Sequence, residues 1–191
     1  LKHISSWWVI PDLRVRGQFF DHPKYIQACV ERGKQYEWQE YDHVIFSFDG
    51  LPVRHVDKVY DNGPCDDHDC HNEITNDNRL CYKATSYATA RSIASGLGMS
   101  KNDYTVSFQS RLDKNWLTPF SDAVVEERAK QGDKRLLVFS PAFVADCLET
   151  NVEIGVEYQE IFEEHGGKKV QLVDSLNDHP IWVECVADLA K

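Results

Sequence analysis

Four short apolar runs, residues 44–48, 104–108, 135–139 and 169–173, alternate along this chain with helix-patterned stretches. That alternation constrains the fold more than any other feature. Strands joined through helices pair in parallel, and a parallel sheet needs helices on both faces. Each run is nearly continuous in Val, Ile, Leu and Phe, as strands buried on both sides require. The expected class is therefore α/β, a four-stranded parallel sheet flanked by helices with right-handed crossovers. Helices are expected from Asp21-His22-Pro23 to about Trp38, over Cys81–Leu97, from a Ser121 cap to Lys130, over 147–165, and from Pro180 onward. Gly96, Gly98, Gly132 and Gly166 punctuate their ends.

The 191 residues suffice for one domain with a real core, taken as 1–191 with a polar, cysteine-bearing insert at about 60–82. A formal net charge of −10 argues against sequence-independent nucleic-acid binding and suits cationic ligands. No apolar run reaches the roughly 20 residues of a membrane span. The N-terminus, Leu1-Lys2-His3-Ile4, carries neither Met nor a secretory signal, which points to a fragment or processed product. A cytoplasmic location, or one peripheral to a membrane, is expected, and disulfides are the weaker reading of six cysteines.

Function in such a fold gathers at the carboxyl ends of the strands. Asp49, Gln109, Ser110, the start of the helix at 147, and Leu176-Asn177-Asp178 all fall there. Glu149, Glu153 and Glu157 recur every four residues, so one helical face stacks three carboxylates. Like charges at that spacing cost a helix roughly 0.2–0.5 kcal/mol per pair. Either they bind a cation or move protons, or they form a solvated acidic face. Gly-rich phosphate loops and the G-x-S-x-G elbow are absent. Carboxylates, amides, Arg111 and Trp116 suit a metal ion together with a flat organic ligand.

Phe46-Ser47-Phe48-Asp49-Gly50-Leu51-Pro52 resembles the S-[FY]-H-G-L-P motif of ferrochelatases. Ser107-Phe108-Gln109-Ser110-Arg111 with Trp116 is similar to that family's F-Q-S-R…W segment. Asp146-Cys147-Leu148-Glu149-Thr150, with Glu153 and Glu157, resembles its D-[HC]-[LI]-E-T…E…E helix, and Leu176-Asn177-Asp178 its L-N-D turn. The resemblance implies one half, the C-terminal one, of the two-domain chelatase fold. It implies insertion of Fe²⁺, as substrate, into protoporphyrin IX or coproporphyrin III by a lyase-class metal chelatase of haem synthesis. Its partners would be a porphyrin, a divalent metal and an N-terminal half; an inert metal- or porphyrin-binding domain, or a homodimer that rebuilds the cleft, are the competing readings.

By the same resemblance Glu149 and Asp49 hold the catalytic positions, and Glu153, Glu157 and Asp146 a metal or proton path. Gln109, Ser110, Arg111 and Trp116 would line the porphyrin, with Arg111 pairing a propionate. Asp49 departs from the family histidine. An imidazole titrates near ~6.5 and a carboxylate near ~3.9, so Asp49 is the weaker base unless its surroundings raise it. Asp113 stands where the family often has a glycine able to take positive φ. In parts of the family cysteines of this insert hold an iron–sulfur cluster. Cys65, Cys70 and Cys81 are then candidate [2Fe–2S] ligands lacking a fourth cysteine at Ser86, or zinc ligands with His68 and His71, or free thiols. Cys29, Cys147 and Cys185 are expected in the core, and Trp7 and Trp8 either in it or on an interface.

Overall fold

The computed structural model describes residues 3–9, 13–60, 65 and 69–191. Strands β1 (His43–Asp49), β2 (Tyr104–Gln109), β3 (Arg135–Phe139) and β4 (Lys169–Leu172) form one all-parallel sheet in the order β2-β1-β3-β4. The α/β expectation holds. Helices α1 (Pro23–Gly33), α3 (Tyr82–Gly96) and α6 (Pro180–Ala190) cover one face, packing Tyr25, Ala28, Ile93 and Trp182 on Val44, Phe46 and Phe48. Helix α4 (Ser121–Gln131), a π-helix (Glu149–Tyr158) and its continuation α5 (Gln159–Glu164) cover the other. There Val125, Ile154 and Phe162 meet Ile45, Leu136 and Val138. A short α2 (Val53–Val56) follows β1.

Strand alternation assigns every side chain of β1 to one core or the other. Even positions enter the α1/α3/α6 core; Ile45, Ser47 and Asp49 face the π-helix side. Register sets Ser47 opposite Ser107 and Asp49 opposite Gln109. This face therefore changes from apolar to polar toward the carboxyl edge, where the sequence placed a site.

Three local expectations are corrected. The first helix stops at Gly33, because Glu37 takes the left-handed conformation at φ 40° and breaks the rise toward Trp38. The helix expected over 147–165 is wound as a π-helix from Glu149 to Tyr158 and as an α-helix only beyond it. Ser121 is the first residue of α4 rather than its cap; Phe120 occupies the cap position, and the serine hydroxyl points into the sheet. Cys29 and Cys185 are core residues as expected, whereas Cys147 is half-buried and both Trp7 and Trp8 are exposed.

Helices α1 and α3 approach closely at Gly96. A Cβ there would lie 2.5 Å from Val30 Cγ2 on the stiff, β-branched side chain of α1. Overpacking costs ~1–3 kcal/mol and replacing a helical glycine by alanine returns ~1 kcal/mol, so Gly96→Ala should lower stability by up to about 2 kcal/mol. Denaturant unfolding checks this, and a Val30→Ala background should abolish the Gly96→Ala penalty as a non-additive pair.

Candidate functional site

Two loops close over the ends of β1 and β2. Gly50 N–H donates to the Gln109 carbonyl at 2.8 Å, Leu117 N–H to Leu51 O at 2.9 Å and Val53 N–H to Asn115 O at 2.9 Å. Gly50 is required here: a Cβ would stand 2.5 Å from the Gln109 carbonyl oxygen and 3.0 Å from Trp116 Cδ1. The Trp116 ring is thereby laid beside Asp49-Gly50. Ser110 follows at φ 58°, a left-handed conformation that turns its N–H toward the π-helix. Asp113 does not take positive φ; its carboxylate accepts Asn115 N–H at 2.7 Å and closes a turn.

Glu153 is the best-held side chain of the edge. Its carboxylate accepts Ser110 N–H and Ser110 Oγ–H at 2.7 Å each, Gln109 Nε2–H at 3.0 Å and Tyr158 O–H at 3.0 Å. Four donors match the lone-pair capacity of a carboxylate. Gln109 Nε2 also donates to the Glu149 carbonyl at 2.8 Å, tying β2 to the first turn of the π-helix. Tyr158 is pushed well above its ordinary range by burial and by the Glu153 charge, so its proton stays on the phenol.

Asp49 is raised above its ordinary value by burial first, then by the charges of Glu149 and Glu153, with Gly50 N–H opposing. Glu149 is lowered, by its own backbone N–H and then by the Cys147 thiol. The two shifts run in opposite directions: the surroundings disfavour the ionised form of Asp49 and favour that of Glu149. Tyr82 O–H donates to the Asp49 carbonyl at 2.9 Å and fixes the strand end from the other side.

The remaining expected residues spread outward. Glu157 is exposed and, with Arg111, Gln109, Ser110, Glu153 and Tyr158, borders a polar cavity of about 420 Å³. Arg111 pairs with Asp122, and its guanidinium lies 4.1 Å above the Phe120 ring; an incoming propionate would have to compete with Asp122. Asp146 is tied to the L-N-D turn: its N–H donates to Asn177 Oδ1 at 3.0 Å and its carboxylate accepts Asn177 Nδ2–H at 3.1 Å. Asn177 sits at φ 46°, which presents its side chain for both bonds.

The described part of the cysteine insert does not supply the expected ligand set. Among the described residues no three His, Cys, Asp or Glu side chains converge as metal ligands, at the insert or at the carboxylate edge. Cys70 and Cys81 are fully buried and Cys65 half-buried, while the His71 ring stacks on Tyr87 with centroids 4.2 Å apart. Ser86, at the fourth position, turns its hydroxyl to the Tyr82 carbonyl at 2.9 Å. His68 lies outside the described residues. Among the described residues, then, no donor set for a [2Fe–2S] cluster or a zinc ion is formed.

A model of one family, the ferrochelatases, matches residues 1–191. The chain belongs to the ferrochelatase family. Ferrochelatases of Pseudomonas putida strain KT2440 and Pseudomonas entomophila strain L48 are 42% and 43% identical to it over 186 and 182 residues. Those matches cover 94% and 93% of this chain and 54% of either relative. The ferrochelatase of Pseudomonas aeruginosa strain LESB58 is 41% identical over 181 residues, 90% of this chain and 52% of that protein. The chain thus spans about half the length of the curated relatives it matches. No described helix is long and apolar enough to cross a membrane.

Family motifs led to Asp49, Gln109, Ser110 and the glutamate row; they contain Ser47 and Ser107 without assigning them a role, and they do not reach Ser121, Tyr82 or Tyr158. The two strand serines carry a legible signal, a polar residue at an inward position of an apolar run; the two tyrosines carry none.

The raised proton affinity of Asp49 has a testable sign. Its ionised form is penalised in the fold, so the penalty is present above the unfolded-state value near 3.8 and is relieved as pH falls through the raised folded value. Asp49→Asn should therefore raise the melting temperature at pH 7 and have no such effect near pH 3. Thermal melts at the two pH values check it.

Proposed function

We propose that this chain is the C-terminal catalytic half of a ferrochelatase-type enzyme that inserts Fe²⁺ into a porphyrin, protoporphyrin IX or coproporphyrin III. The observation that carries this reading is the shared edge of Asp49, Glu149 and Glu153, in which burial and the two glutamate charges raise the proton affinity of Asp49 while the ionised form of Glu149 is favoured.

Metallation replaces two pyrrole N–H protons by one divalent cation, with no change in the oxidation state of iron. It calls for a base beside the macrocycle, oxygen donors that take over from hydration water, and an exit for two protons. Asp49 stands at the base position. Glu149, half-buried and with its ionised form favoured, offers the oxygen donor. Glu157, at the polar cavity, lies toward solvent on the same helix and suits the exit. An edge that passes a cation on needs no closed protein cage, and the porphyrin nitrogens supply the final ligands. Trp116, beside Gly50, and Arg111, held near Asp122, would form the porphyrin-side wall. Asp146 acts through Asn177, setting the approach to the π-helix. The other wall of the cleft would come from the half of the relatives' length that this chain does not span.

A second reading, a domain that holds metal or porphyrin with little turnover, is favoured by Asp49 itself. Its shift makes it a better base than an ordinary aspartate, yet it adds a third negative charge where the family has an imidazole. General bases contribute roughly 10²–10⁴-fold, so a misplaced one is felt in rate. With the N-terminal half of a relative supplied, Asp49→His should raise Zn²⁺ insertion into the porphyrin at least ~10-fold, read from the Soret band. Equal rates in both proteins would reject Asp49 as the weak point, and turnover in neither would favour the binding-domain reading.

A further inference from the structure

Three serines lie in the core between the sheet and α4, and none belongs to the site as described. Ser47 and Ser107 face each other in register on β1 and β2, and Ser121 opens α4 above them. All three are buried to 1% exposure or less. Ser121 Oγ is 2.8 Å from both Ser47 Oγ and Ser107 Oγ, and Ser47 Oγ–H donates to Gln109 Oε1 at 2.7 Å.

A hydroxyl has one proton to give. Ser47 gives its proton to Gln109, so Ser121 must donate to Ser47, and Ser107 must donate to Ser121. The chain is one-way. Its last member, the Gln109 amide, donates onward to Glu153 and to the Glu149 carbonyl. A flipped amide would need all three hydroxyls reversed at once. It would also set the Gln109 oxygen against the Glu149 carbonyl at 2.8 Å and a Glu153 oxygen at 3.0 Å. Among the described residues Ser140 Oγ, at a longer 3.3 Å, would remain to hold Oε1 if Ser47 were lost.

We propose that Ser47, backed by Ser121, is a positioning residue: the buried hydroxyl chain locks the Gln109 amide with its NH₂ toward the π-helix and so places Glu153 and the Glu149 backbone at the edge. The purpose of that placement rests on the cation reading above; the chain itself does not.

The test has two arms. In the first, hydrogen exchange of the Gln109 side-chain NH₂ is followed by ¹H–¹⁵N NMR on the metal-free chain, with exposed Gln39 as internal reference. The Gln109 NH₂ should exchange at least ~10-fold more slowly than that of Gln39. Ser47→Ala should remove about that factor, Ser121→Ala part of it, and Ser107→Ala, at the head of the chain, less than about twofold. Equal exchange at Gln109 and Gln39 in the unsubstituted chain overturns the proposal. So do equal losses from all three alanines, because mere core packing predicts equal losses for three equally buried serines. In the second arm Co²⁺ is titrated into the same proteins. Ser47→Ala should weaken apparent affinity by at least ~3-fold while Ser107→Ala matches the unsubstituted chain. Co²⁺ binding that Ser47→Ala leaves unchanged overturns the positioning role. If the unsubstituted chain takes up no Co²⁺, the cation reading of the edge fails instead, and the exchange arm alone decides the hydroxyl chain.

Discussion

The carboxylate of Glu153 joins the two halves of this site. Four donors from β2, its following loop and the π-helix meet on one side chain at 2.7–3.0 Å. Hydrogen bonds to an ionised acceptor are about twice as strong as neutral ones, so this one group outweighs any other polar contact at the edge. It explains the left-handed Ser110, whose N–H reaches Glu153 only in that conformation. It also limits what Glu153 does. A carboxylate with its lone pairs filled is an anchor, which leaves any exchange of cations or protons to its neighbours on the row.

The π-helix makes that division workable. In an α-helix residues four apart drift by ~40° per step, since 3.6 residues complete a turn. A wider i→i+5 winding changes the drift while keeping positions 149, 153 and 157 in one row. The anchor then has a carboxylate on either side: half-buried Glu149 toward Asp49, and exposed Glu157 at the polar cavity. Leu148, Val152 and Val156, one residue before each glutamate, form an exposed apolar row beside the acidic one. Uncommon helix geometry, like-charge repulsion and exposed apolar area all collect in one element. Such local conflicts are typical of functional segments.

The strands were legible because a parallel sheet buried on both faces leaves nearly continuous apolar runs, which little else imitates at that length. The register of Asp49 with Gln109 followed from no local signal, yet both residues stood at strand ends and were placed together on that ground. Ser121 was misread for a physical reason. Serine before a helix is the commonest capping pattern, and only the sheet beneath it supplied the better partners Ser47 and Ser107. The π winding was invisible because a period of four suits both kinds of helix. Cys65, Cys70 and Cys81 had spacing compatible with ligation, but spacing does not report convergence. The burial of Cys70 and Cys81 reflects packing around the start of α3 instead.

Asp49 shows how the surroundings decide what a substitution means. By itself an aspartate at a histidine position is a poorer base and a worse neighbour for a glutamate. Placed at the edge, it is half-buried and faces two negative charges, and both conditions oppose its ionisation. Glu149 escapes that pressure because a backbone N–H and the Cys147 thiol favour its charged form. On the reading proposed above, the edge would separate the two tasks that metallation combines, proton acceptance at Asp49 and cation contact at Glu149. The cost would be charge: a cation arriving there would compete with the proton on Asp49, which would couple occupancy by metal and by proton at the strand end. An imidazole there would accept a proton without first adding a negative charge, which is the physical difference that distinguishes this chain from the family pattern.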